Sequence, residues 1–220
     1  MESGDPSIGL LRTTKRQTTV QATVTSSQNE KSRCARQRRH ATGYAFFEKG
    51  DLSQALPLLE QSVAQMGRFG FRRLEARFLT FLGEAELAAG RPDRARELVG
   101  RGLMIAREVP YPYGFGWAAL ALGRIDLARG ALPEAAASLE EALRTFEPMG
   151  ARFMIGRTQL ALAELAARRD DREATMCGLT EAYRIFSALG VRVYCERTEE
   201  LARRFGAVLP SARVERKAGG

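Results

Sequence analysis

Acid–base chemistry needs two titratable groups that converge, and this chain offers three carboxylate pairs: Glu140-Glu141, Asp170-Asp171 and Glu199-Glu200. Each pair is adjacent in sequence, and adjacent residues on a helix or turn point in different directions. They therefore read as solvated groups rather than as a general acid and base. The single histidine, His40, stands in an Arg-rich stretch and leaves His-based triads and metal pairs little to work with. Cys34, Cys177 and Cys195 have neither metal-ligand spacing nor the even count of a disulfide framework, and read as buried or incidental thiols. Gly114-Phe115-Gly116 begins like a dinucleotide-binding loop, but its third glycine is missing and no strand precedes it. No GxxxxGK[ST] phosphate loop occurs. The residues supply no catalytic set, and no metal or cofactor is expected.

What the chain has instead is a period. Gly50, Gly90, Gly130 and Asp170 are spaced by 40 residues, and around each the same offsets recur. Seven residues upstream lie Gly43, Gly83, Gly123 and Ala163. Five downstream lie Ala55, Ala95, Ala135 and Thr175, and twelve downstream Ser62, Gly102, Ala142 and Ala182. Small residues at fixed offsets mark places where neighbouring helices approach closely. A second set of breakers, Gly70, Pro110, Gly150 and Gly190, shares the period. A self-similarity of this length predicts a solenoid of helix pairs.

Each unit reads as two antiparallel helices. Ala95, Leu98, Val99, Gly102, Leu103 and Ala106 follow the spacing of a helix with one buried face, and Ala135, Ser138, Leu139, Ala142, Leu143 and Phe146 repeat it. Pro92 and Pro133 fall in first turns, where a missing N–H costs nothing, and Asp51 with Gln54 resembles a capping box. The units run 31–70, 71–110, 111–150 and 151–190, followed by a cap, 191–206, whose polar face carries Glu196, Glu199, Glu200 and Arg203. Residues 1–30, rich in Ser, Thr and Gln, are expected to be a disordered basic segment, and 207–220 a flexible tail.

The formal net charge is +8, but its distribution is uneven. Residues 1–40 carry 8 Lys/Arg against 3 Asp/Glu and residues 211–220 carry 3 against 1, leaving 23 against 22 in between. The repeat region is nearly neutral, which disfavours nucleic acid as its partner, although basic tails can attract it by counterion release. No apolar run approaches a membrane span and no signal-peptide core is present, so the expectation is a cytoplasmic protein without membrane contact.

The small-residue code resembles the tetratricopeptide repeat (TPR), best at Leu82-Gly83 with Gly90, Ala95 and Gly102, and at Leu122-Gly123 with Gly130, Ala135 and Ala142. That family's unit has 34 residues, so six more per unit must lengthen helices or loops; HEAT-type repeats are the alternative of similar period. The aromatic position four residues before the small one is Leu79, Ala119 and Gln159 here, a departure from the family pattern. The resemblance implies an all-α, right-handed α-solenoid of about four TPR-like repeats with a C-terminal capping helix. The stretch from Leu139 to Phe205 also resembles the C-terminal TPR arrays of bacterial signalling proteins that carry a nucleotide cyclase, protein kinase or regulatory ATPase domain.

In the resembling family the first helix of each unit lines an inner face, and matching those positions gives Arg77, Glu84, Trp117, Arg124, Arg157 and Glu164. The resemblance implies a non-enzymatic scaffold that presents this face to a protein or peptide. Arg124 and Arg157 beside Trp117 suit an acidic, partly apolar segment. Two plainer readings stand beside it: Trp117 as core packing, and Glu84 with Arg124 as neighbours across units on a solvated face. The alternative functions are a regulatory fragment of a larger enzyme and nucleic-acid binding through the tails.

Overall fold

The structure, a computed structural model, describes residues 43–207 and Leu209. The expected disordered segment 1–30, most of the first helix of unit one, and the tail beyond Leu209 lie outside the described residues. The described residues fall into two compact units, divided between Leu58 and Leu59. The first holds α1 (43–48) and the opening turns of α2 (Leu52–Arg68). Here Asp51 Oδ1 accepts the Gln54 N–H at 3.2 Å, one half of the expected capping box, while the Asp51 N–H goes to Phe46 O at 2.9 Å as part of the preceding helix stop.

The second unit continues α2 and adds α3 (Arg72–Ala88), α4 (Pro92–Glu108), α5 (Pro112–Arg129), α6 (Leu132–Phe146), α7 (Arg152–Arg168), α8 (Arg172–Ala188) and α9 (Arg192–Arg204). Three helix pairs, α3–α4, α5–α6 and α7–α8, stack in sequence. Each second helix also packs on the first helix of the next pair, and first helices touch each other, α3 on α5 and α5 on α7. This is an all-α helical-repeat solenoid. No helix among the described residues is long and apolar enough to cross a membrane.

Helix ends repeat because their cause is local. At the end of α5, Gly130 adopts φ +77°, its N–H reaches Leu127 O at 2.9 Å, and the Ala131 N–H reaches Asp126 O at 2.9 Å. Those two bonds form a Schellman stop, which needs a left-handed residue. Gly50, Gly70, Gly90, Gly150 and Gly190 take positive φ as well, and Asp170 does so at +58° without being glycine. Pro110 lacks the N–H for this motif, and α4 instead ends with Val109 in extended conformation.

The small-residue positions are contacts between the two helices of a pair. A Cβ on Gly83 would lie 2.3 Å from Val99 Cγ2, and one on Gly123 would lie 2.6 Å from Leu139 Cδ2. Such distances are far inside van der Waals contact, so only glycine lets α3 meet α4, and α5 meet α6, at this separation. The α4 stripe is Ala95, Leu98, Val99, Gly102, Ile105 and Ala106; Leu103, expected within it, is partly buried and packs against the cluster of Ala95, Val99, Ala118, Ala121 and Ile125. First helices bury much more of their circumference, because neighbours cover them on several sides. In α5 the residues from Gly116 to Ala121 are buried without a break.

The last helix, α9, exposes Glu196, Glu199, Glu200 and Arg203, as a cap requires. Arg203 stands one period after Gly83, Gly123 and Ala163, where a close helix partner would demand a small residue. Ala207 and Leu209, expected in a flexible tail, pack against the cluster of Ala163, Leu179 and Ala202.

Candidate functional site

The period that builds the fold also builds a surface. At one point of successive first helices stand Arg77, Trp117, Arg157 and Arg197, and seven residues further on stand Glu84, Arg124, Glu164 and Arg204. Seven residues are close to two helical turns, so both rows share one face.

The rows meet at Glu84, whose carboxylate is buried on α3. Its Oε1 accepts from Arg124 Nη1 at 2.8 Å and from Arg157 Nη2 at 2.7 Å, and its Oε2 accepts the Trp117 Nε1–H at 3.1 Å. One carboxylate thus ties α3 to both α5 and α7. Burial alone would raise the Glu84 pKa, but the two guanidiniums and the Trp117 and Arg157 donors outweigh it and hold the carboxyl below its ordinary range. The two arginines differ in access: the Arg157 side chain is 4% exposed and that of Arg124 is 40%.

Aromatic rings continue the first row. The Arg77 guanidinium lies 5.2 Å from the Phe81 ring centre, Phe81 packs edge-on to Trp117 at 4.8 Å, and Arg157 lies 5.7 Å from Trp117 and 5.9 Å from Tyr194. Arg197 closes the series at 4.8 Å from Tyr194. Cations and rings thus run in one series across α3, α5, α7 and α9, with Phe81 and Trp117 in direct ring–ring contact, and each cation–ring contact contributes on the order of 0.5–2 kcal/mol. Tyr113 faces the same row. Its hydroxyl pKa is raised, chiefly by burial and by Tyr111, with Arg157 and Arg77 opposing.

Between α5, α7 and α9 the face opens into a cleft of about 270 Å³. Arg124, Arg157, Arg197 and Arg204 line it with Glu164, Glu200, Tyr194, Leu160, Ala161 and Leu201. Four guanidiniums against two carboxylates make an anion-attracting lining, with the Tyr194 ring and two leucines as its apolar part. Glu164 also meets Arg168 at 3.5 Å.

All six residues matched from sequence fall on these first helices. Glu84, Trp117, Arg124 and Arg157 form one bonded cluster, Glu164 lies in the cleft, and Arg77 stands apart, exposed above Phe81. The carboxylate expected from a ligand at Arg124 and Arg157 is supplied in the structure by Glu84. Trp117 is 9% exposed and packed among Phe81 and Tyr113, so core packing is part of its role. Arg197 and Arg204 are absent from the positions matched in the sequence, where this segment reads only as a cap. Extending the period by one more unit from Arg157 and Glu164 reaches both.

No protein-family model and no curated protein matches the chain. Among solved structures, BtubC (BKLC) from P. vanneervenii matches with a TM-score of 0.54 at 16% identity, covering 76% of this chain and 80% of its own. Two crystal structures of a Podosopora anserina putative kinesin light chain with nearly identical TPR-like repeats cover 77% of this chain and 93% and 94% of their own, with a TM-score of 0.46 at 19% and 18% identity. The stacked helix pairs, the small residues at their contacts and the likeness to the first of these structures together give this chain the TPR-type helical-repeat fold.

Proposed function

We propose that the chain is a non-enzymatic protein-interaction scaffold whose inner face docks an acidic, partly apolar segment of a partner protein. The observation that carries this reading is the cleft between α5, α7 and α9, where arginines from three separate helices gather around Tyr194 and two leucines. Arginine and aromatic side chains are the usual anchors of protein interfaces, and the positive lining selects for acidic partners. The repeat domain, 31–206, works in the cytoplasm as part of bacterial signalling. There it is either free-standing or the regulatory end of a larger cyclase, kinase or ATPase, as the resemblance of Leu139 to Phe205 suggests.

A fluorescent peptide of alternating Glu and Leu, titrated with the protein and followed by anisotropy, tests the reading. Binding that weakens at least tenfold in Arg124→Glu with Arg197→Glu supports it. Binding that ignores those changes and vanishes when residues 1–40, which carry 8 Lys/Arg against 3 Asp/Glu, are removed assigns the affinity to that basic stretch instead. Such an outcome favours the alternative of nucleic-acid binding through the tails.

A further inference from the structure

Arg124 and Arg157 both spend a donor on the same oxygen of Glu84, yet they differ tenfold in exposure, 40% against 4%. Arg157 lies at the floor of the cleft, nearly buried among Glu84, Trp117 and Tyr194. Arg124 reaches Glu84 through Nη1 while its half-exposed guanidinium lines the cleft, in company with the exposed Arg197 and Arg204. The arginines therefore form two tiers, a floor held by an internal carboxylate and an open upper edge. We infer that Glu84 is a built-in competitor for the groove's arginines: it occupies the place of a ligand carboxylate on Arg157 and Arg124, leaves Arg124, Arg197 and Arg204 to meet the partner, and thereby sets the strength of partner binding.

The inference rests on the acidic-segment reading of the groove. A carboxylate beneath the floor does two opposing things. It holds the guanidiniums in place, and its negative charge weakens the attraction the cleft exerts on a second anion. Glu84 is thus a positioning residue whose removal lowers stability and raises affinity, whereas a purely structural residue would lower both.

The test titrates a fluorescein-labelled hexaglutamate peptide against the full chain at two salt concentrations. Glu84→Gln keeps the side-chain shape and a hydrogen-bond acceptor, and is expected to bind the peptide roughly threefold tighter or more at low salt, with the gain shrinking at high salt. Glu134→Gln, an exposed site on α6, makes the same change in net charge and is expected to leave affinity unchanged. If Glu84→Gln does not fold, Glu84→Gln with Arg157→Met removes the buried charges as a pair and frees Arg124. This double variant is expected to bind at least as tightly as the parent, and a tenfold loss in it would overturn the inference by making Arg157 a ligand contact. A parent that binds and a Glu84→Gln variant that binds no tighter rejects the internal competitor alone. No binding by either protein rejects the acidic-groove reading together with it.

Discussion

Glu84 and Arg157 are 73 positions apart in the chain, and their side chains meet at 2.7 Å with both buried. The bond skips a unit, joining α3 to α7 past α5, while Arg124 and Trp117 of α5 donate to the same carboxylate. Three successive first helices are thereby held in one arrangement by a single side chain.

Glu84→Ala should cost roughly 3–5 kcal/mol of stability, because it strands two guanidiniums that lose their buried counter-charge. Arg157→Glu should be similarly damaging, since it places two carboxylates together in a buried site. Denaturant titration measures both. Variants that melt with the parent would show the cluster to be looser than its distances imply.

The same cluster sets a response to acid. The folded-state pKa of Glu84 lies below its unfolded value, so its contribution is complete above the ordinary glutamate range, around pH 4.3, and is lost as pH falls through the depressed folded value. The stability gap between the parent and Glu84→Gln is therefore expected to be widest near neutrality and to close in acid. A gap that stays constant down to the acid transition would mean that Glu84 does not titrate differently on folding.

Two glycines in facing helices should respond to alanine in opposite ways. Gly83→Ala pushes a methyl to within 2.3 Å of Val99 Cγ2 and should destabilise by roughly 1–3 kcal/mol. Gly100→Ala meets nothing within 4 Å in α4 and should stabilise by about 0.5–1 kcal/mol, the helix-propensity difference. Melting temperatures that move in the same direction would refute the reading of Gly83 as a close helix contact.

Charge reversal at Arg197 with Arg204, on the exposed edge of the cleft, should weaken binding of an acidic peptide by about tenfold or more while leaving the melt near that of the parent. Arg144→Glu is the control, since Arg144 lies on α6, is 67% exposed and pairs with Glu141 away from the cleft. Equal losses from the two surfaces would place the peptide elsewhere.

Much of the architecture was legible in the residues because its causes are local or strictly periodic. A Schellman stop is decided within about six residues, so Gly90, Gly130 and Gly150 could be read as helix ends before any packing was known. The small side chains at Gly83 and Gly123 announced close helix contacts by steric necessity. A frame of period 40 then placed Arg77, Trp117 and Arg157 in one row and Glu84, Arg124 and Glu164 in another, and one further step of the same frame would have added Arg197 and Arg204.

Tertiary structure alone decided what those rows do. Periodicity specifies which positions recur, but not how deep a side chain sits or which of several cations reaches a given carboxylate. Glu84 and Glu164 occupy equivalent positions, yet Glu84 is buried beneath two arginines and a tryptophan while Glu164 lies in the open cleft beside Arg168. The difference arises because Trp117 and Arg157, from two different later units, close over Glu84. Burial of a charge depends on the sum of its three-dimensional neighbours, and repeat spacing carries no record of that sum.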